Sequence, residues 1–126
     1  MDWHSGTLLG AGIIGIGVAL IHGVLTQRLM VRPLAASLAE QRARAAIRML
    51  VPALLQFSTY NWLLGGFALI AAALWLGPEA RLAVGLVVGS SYLYGAIANG
   101  MATRGRHPGW ALYAVAVALI VVSLAG

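Results

Sequence analysis

Five side chains of this 126-residue chain have the chemistry and the placement to build a site: His22, Tyr60, Asn61, Asn99 and His107. Two imidazoles from distant parts of a chain can hold a haem iron axially, join a metal site, or bind a ligand by hydrogen bonds. Tyr60, Asn61 and Asn99 add hydroxyl and amide groups, which donate and accept without carrying charge near neutrality. Gln56, Ser58 and Thr59 lie just before them. The absences are as informative. Cysteine is missing, so there is no thiolate nucleophile, disulfide or cysteine-held metal. The only acids, Asp2, Glu40 and Glu79, are far from these residues in sequence. That leaves no carboxylate pair for acid–base work, no Ser-His-acid set and no strand–glycine loop–helix unit for a nucleotide. No enzymatic activity is expected.

The elements that must position these side chains are legible from charge. Residues 5–27, 49–78, 82–103 and 107–126 contain no Asp, Glu, Lys or Arg. At about 1.5 Å per helical residue each can cross a hydrocarbon layer of roughly 30 Å, the last only just. With 61% hydrophobic and 9% charged residues, and a mean hydropathy of +0.90, the chain lacks the polar coat of a water-soluble domain. The expected fold is all-α: a single-domain integral membrane four-helix bundle, up-down-up-down. Its helices are expected at about 5–30, 34–76 (bent near Pro52), 82–103 and 110–124.

The net charge of +5 comes from arginines flanking apolar spans, which points to anionic lipid headgroups as partners and not to nucleic acid. Arg28, Arg32, Arg42, Arg44 and Arg48 lie between the first two spans and Arg104 and Arg106 between the last two, whereas Arg81 alone lies between the second and third. Both rich loops fall at the same end of an up-down bundle. The positive-inside rule then puts that end in the cytoplasm and both termini in the periplasm of a bacterial inner membrane. The start, Met1-Asp2-Trp3-His4, lacks the basic opening of a signal peptide and reads as part of a retained first span.

Pro33 suits the first turn of a helix, so the second helix is expected to begin there with an amphipathic cytoplasmic segment. On that segment Ser37, Glu40, Gln41, Arg44 and Arg48 share a face. Pro52 should bend this helix toward the membrane, and Gly77-Pro78-Glu79 should end it in a tight turn. Trp3, Trp75 and Trp110 fall where amphipathic rings favour the membrane interface. In the first span Thr7, Ala11, Gly15, Ala19 and Gly23 recur every fourth residue, with Gly6 and Gly10 beside them, and Gly85 and Gly89 repeat the theme in the third. Such stripes let helix backbones approach closely. They exceed what one bundle needs, so a homo-oligomer or a place in a larger membrane complex is expected. Ser91, Gly95, Asn99 and Thr103 form a small polar row that should face the interior. The last span, nearly all Ala, Val, Ile and Leu, should be the most lipid-exposed or the most passive of the four.

Polar groups within a span are costly without partners. Given the topology, His22, Tyr60, Asn61, Asn99 and His107 all fall in the cytoplasmic half and could meet in one layer. Three uses compete for it: hydrogen bonds that fix helix register, a haem or metal site, and a small polar cavity for a lipid headgroup, quinone or ion. Haem is disfavoured, because His107 abuts Pro108 in a basic loop and should face water. A transporter coupled to protons would lack a carboxylate carrier.

His22-Gly23-Val24-Leu25-Thr26-Gln27-Arg28, then Arg32-Pro33-Leu34, and Arg106-His107 with Trp110, resemble a family of small bacterial four-helix membrane proteins without an assigned activity. Those carry a His-Ser-x-x-Gly-Glu-Arg-like run ending helix 1, a Trp-His pair in helix 2 and an Arg-His-x-x-Trp-like run before helix 4. The resemblance implies the four-helix fold and a bacterial membrane location. Here Gly23, Thr26 and Gln27 stand for Ser, Gly and Glu, and Tyr60-Asn61 for Trp-His, which removes an acid and a histidine and further disfavours metal or haem. The chain thus reads as a non-catalytic accessory or structural membrane protein, with a redox or cofactor protein and a small transporter or channel as alternatives.

Overall fold

The computed structural model describes all 126 residues and contains helices and turns only. α1 (Trp3–Thr26) passes through a π-helical turn (Gln27–Val31) straight into α2 (Arg32–Glu40); α3 (Ala45–Trp75), α4 (Pro78–Ala102) and α5 (Gly109–Leu124) complete the chain. α1 packs on α3 and α5, and α4 on the same two, so neighbours around the square are antiparallel. This is the up-down-up-down four-helix bundle. The three helical rods Trp3–Glu40, Ala45–Trp75 and Pro78–Ala102 are long and apolar enough to cross a membrane, and α5, at 16 residues, is a shorter apolar helix. The chain is a membrane protein by that pattern.

The first helix departs from its expected limits. Pro33 does not open a second helix. Its ring would collide with the carbonyl four residues back in an α-helix, and it has no N–H to donate. A widened turn removes the conflict: the Arg32 N–H reaches back five residues to Gln27 O, and the helix continues through Pro33. The expected amphipathic segment is therefore split: Ser37 and Glu40 belong to the end of the first helix, Arg48 to the second, which starts only at Ala45, and the turn between them breaks the face they were to share. From Trp3 to Glu40 the rod has 38 residues, about 57 Å, against roughly 40–45 Å for a bilayer with its headgroups. Its last turns pack across on α3.

The rod ends in a Schellman turn. Ala43 N–H bonds Leu38 O, Arg42 N–H bonds Ala39 O, and Arg42 takes φ +53°. α4 ends the same way, with Gly105 N–H on Gly100 O, Arg104 N–H on Met101 O, and Arg104 at φ +52°. Left-handed backbone costs a side-chain-bearing residue about 1 kcal/mol, and glycine is the usual occupant. Both positions instead carry a positive charge at a helix C-terminus, where the dipole favours it. Arg42→Gly should accordingly raise stability by about 0.5–1 kcal/mol. Reversible unfolding in mixed detergent micelles measures this, and a lower midpoint for the variant would count against it.

At the opposite end Asp2 caps α1, its carboxylate accepting the Ser5 N–H at 2.7 Å. Those hydrogen bonds to Ser5 hold the Asp2 carboxyl below the usual carboxylate range. The Ser123 hydroxyl donates to His4 O at 2.8 Å and ties the end of α5 to the start of α1. Both termini and the α3–α4 turn thus share one end, with Arg81 beside Asp2 and Glu79; the other end holds the remaining seven arginines and Glu40.

The small-residue stripes are used inside the bundle. Thr7, Ala11, Gly15 and Ala19 are buried. Gly12 and Gly66 bring the α1 and α3 backbones together, Gly15 makes room for the Tyr92 ring, and Gly95 does so for Trp62. On α4, Gly85 and Gly89 pack on Leu124 and Ile120 of α5. Most of the stripe is thus used within one chain, while Gly6 faces open space. α5 is not passive either: Tyr113, Ala116, Ile120 and Ser123 form a buried face.

Candidate functional site

The interior of the bundle is aromatic. Tyr92 and Tyr113 lie with ring centroids 4.7 Å apart, Trp62 meets Tyr113 edge-on at 4.8 Å, and His22 meets Trp62 edge-on at 4.7 Å. The Tyr92 hydroxyl donates to Trp62 O at 3.0 Å, which ties α4 to α3. The Tyr113 hydroxyl is buried and has no hydrogen-bond partner.

Above this stack, toward the arginine-rich end, a cleft of about 300 Å³ opens between α1, the end of α4 and the start of α5. Val18, Ile21, Leu25 and Leu112 form much of its apolar wall; Leu29 and Met30, both in the π-turn, extend it. The turn forced by Pro33 therefore shapes one side of the cleft, as π-turns frequently do at sites. His22, Thr26, Asn99, Thr103 and His107 are the polar side chains of its lining, and the Tyr113 ring closes it below.

Each polar group has part of its capacity tied up. His22 Nε2 shares hydrogen bonds with Ser58 Oγ at 3.1 Å and Thr26 Oγ1 at 3.2 Å, so Nδ1 is the ring atom left free. Asn99 donates from Nδ2 to Gly95 O at 2.8 Å; because a carbonyl can only accept, this fixes the amide orientation and leaves Oδ1 free. Gly109 N–H donates to His107 Nδ1 at 3.1 Å, which places the proton of the neutral ring on Nε2. Thr103 donates its hydroxyl to Asn99 O at 2.7 Å.

Comparison with known proteins finds no matching family, curated relative or solved structure. The likeness to small bacterial four-helix proteins gains no support from it, and the site stands on its own geometry.

Of the five residues expected in one layer, His22, Asn99 and His107 meet in the cleft and two do not. Tyr60 is 61% exposed on the outer surface of α3. Asn61 is also exposed and lines a separate groove between α3 and α4, with Ser91 and Tyr92. Trp62, one residue on, takes the inward position instead. His107 is half-buried rather than water-facing, and its Nδ1 accepts the Gly109 N–H at the start of α5. The residues that sequence reasoning missed are Tyr113 and Trp62. Gln56, noted only in passing, bridges Gly23 O at 3.0 Å and Gln27 Oε1 at 3.3 Å, and accepts from Thr59 at 2.8 Å, closing the helix pair behind His22. No group of three His, Cys, Asp or Glu side chains gathers anywhere in the fold.

Proposed function

We propose that this chain is a non-catalytic accessory protein of a bacterial inner membrane that holds a small lipid-soluble molecule in the cleft between α1, α4 and α5. One observation carries the reading: an apolar-walled cleft whose three polar side chains from separate helices and a loop, His22, Asn99 and His107, each keep one hydrogen-bonding atom free. Such a site, apolar with a few convergent polar groups, is the usual form of a small-molecule pocket. The lining holds no carboxylate, and both imidazoles are tied by hydrogen bonds, which favours binding over turnover. The arginine-rich end is assigned to the cytoplasm, against anionic lipid, and the termini to the periplasm. Arg81, the one arginine at the other end, is engaged on α3 carbonyls, which supports that orientation.

Protein purified in mild detergent should carry a stoichiometric lipid-soluble molecule, detected by native mass spectrometry. Leu25→Trp, which fills the cleft, should lose it. A wild type that retains nothing beyond what Leu25→Trp retains would remove the proposal.

A further inference from the structure

Two polar side chains, Asn61 and Ser91, stand near the middle of the hydrocarbon layer and open toward lipid through one groove. Asn61 lies 13 residues after Arg48 and 14 before Trp75, about 20 Å of helix on either side. Ser91 lies 10 residues after Arg81 and 13 before Arg104, which puts it in the same layer. Both line the groove of about 360 Å³ between α3 and α4. Gly65 and Ala68 form its floor, and Leu64 and Val87, 52% and 70% exposed, stand beside it.

Neither polar side chain is hydrogen-bonded to the other or to the rest of the chain. Their neighbours differ: Ser90 returns its hydroxyl to Val87 O at 2.8 Å, and Asn99 donates to Gly95 O at 2.8 Å. Asn61 is exposed on the outer side of α3. Turning its amide onto a carbonyl of its own helix would satisfy one N–H and leave Oδ1 and the second N–H bare. Acyl tails supply no partner, headgroups lie about 15 Å away, and water is excluded at that depth. An amide in that position is costly until another molecule docks on it.

We infer that the occupant is a second copy of this chain, docked groove to groove about a two-fold axis along the membrane normal. The amide selects this partner because it is self-complementary. Oδ1 of one Asn61 accepts from Nδ2 of the other, and the reverse bond forms by symmetry. Copies inserted alike by their arginines meet with every residue at its counterpart's depth. A span of another protein would need a matching polar group at the midplane, whereas a copy carries one by construction. Leu64 and Val87 give each copy a ridge for the groove of the other, and the small Gly65 and Ala68 let that ridge approach closely. The groove shares no residue with the cleft between α1, α4 and α5, so this inference stands apart from what the cleft binds.

The chain has no cysteine, so one introduced on the seam reports the contact. Oxidation of Leu64→Cys in native membranes should give a disulfide-linked dimer, whereas Leu20→Cys, on α1 and 55% exposed, should not. A second measurement needs no cysteine on the seam. Energy transfer between copies labelled at the C-terminus, read in liposomes over a range of protein-to-lipid ratios, gives the association constant. Asn61→Leu should weaken it about tenfold or more, and Asn61→Gln, which keeps the amide, should retain most of it. The position faces lipid, so both variants should insert and fold as the wild type does. A wild type that stays monomeric at every ratio, or an Asn61→Leu association equal to that of the wild type, would overturn the inference. So would a Leu64→Cys crosslink formed only with a different protein, which would assign the groove to that partner's span.

Discussion

Alanine in place of Gly12 or Gly66 is expected to destabilise the bundle by about 1–3 kcal/mol. A Cβ on Gly12 would lie 2.8 Å from Gly66 O and 2.8 Å from Ile70 Cγ1; one on Gly66 would lie 2.9 Å from Gly12 O and 2.6 Å from Ile16 Cγ1. Part of each conflict is with a carbonyl, and a carbonyl moves only if its helix moves. In a membrane the two helices gain little from the hydrophobic effect, so their attraction depends on close dispersion contact along this seam. Prying them apart by a few tenths of an ångström weakens contacts along the whole α1–α3 seam. Gly17 supplies the control, because a Cβ there meets nothing within 4 Å. Gly17→Ala should be neutral or stabilising by about 0.5–1 kcal/mol, the ordinary preference of a helix for alanine. Unfolding midpoints in mixed micelles for the three variants decide the matter, and equal midpoints for Gly12→Ala and Gly17→Ala would contradict the packing argument.

The sequence showed that α1 carries a small-residue stripe, but not what each glycine meets. Gly12 and Gly17 look alike in sequence, and only the position of α3 makes one indispensable and the other free. The same limit governed the site. Charge-free stretches and arginine clusters marked the four helices, and the depth of His22, Asn99 and His107 followed from counting turns. The rotation of α3 did not follow, because Tyr60, Asn61 and Trp62 lie about 100° apart around the helix and lipid does not penalise an outward Tyr or inward Trp. The buried face of α5 was hidden for a related reason. Tyr113, Ala116 and Ile120 stand among residues equally apolar, so no contrast marks the inner side. Pro33 was ambiguous between the first turn of a helix and a π-turn. The choice depended on the α1 rod continuing beyond it, and that in turn let Leu29 and Met30 wall the cleft.

Loss of Arg81 should cost about 1.5–3 kcal/mol without changing the orientation of the chain. Its guanidinium closes the C-terminus of α3: Nε donates to Leu76 O at 2.8 Å and Ala72 O at 3.0 Å, and Nη2 donates to Ala73 O at 3.0 Å. These are carbonyls of the final turn, which have no full set of donors in the helix, and Ala72 and Ala73 are buried. One planar group with several fixed N–H vectors serves all three, and it places positive charge where the helix dipole is negative. Arg81→Leu leaves the Ala73 carbonyl unpaired at a buried position. Arg81→Lys should recover only part of the loss, because an ammonium is a point charge and cannot span the same three acceptors. Since this residue is the lone arginine at its end of the bundle, removing it sharpens the charge asymmetry that sets insertion. Reporter fusions or cysteine labelling at the termini should therefore give the same orientation for wild type and Arg81→Leu, while the unfolding midpoint falls. An inverted variant would show that Arg81 acts on insertion, and an unchanged midpoint would show that its hydrogen bonds contribute nothing to the fold.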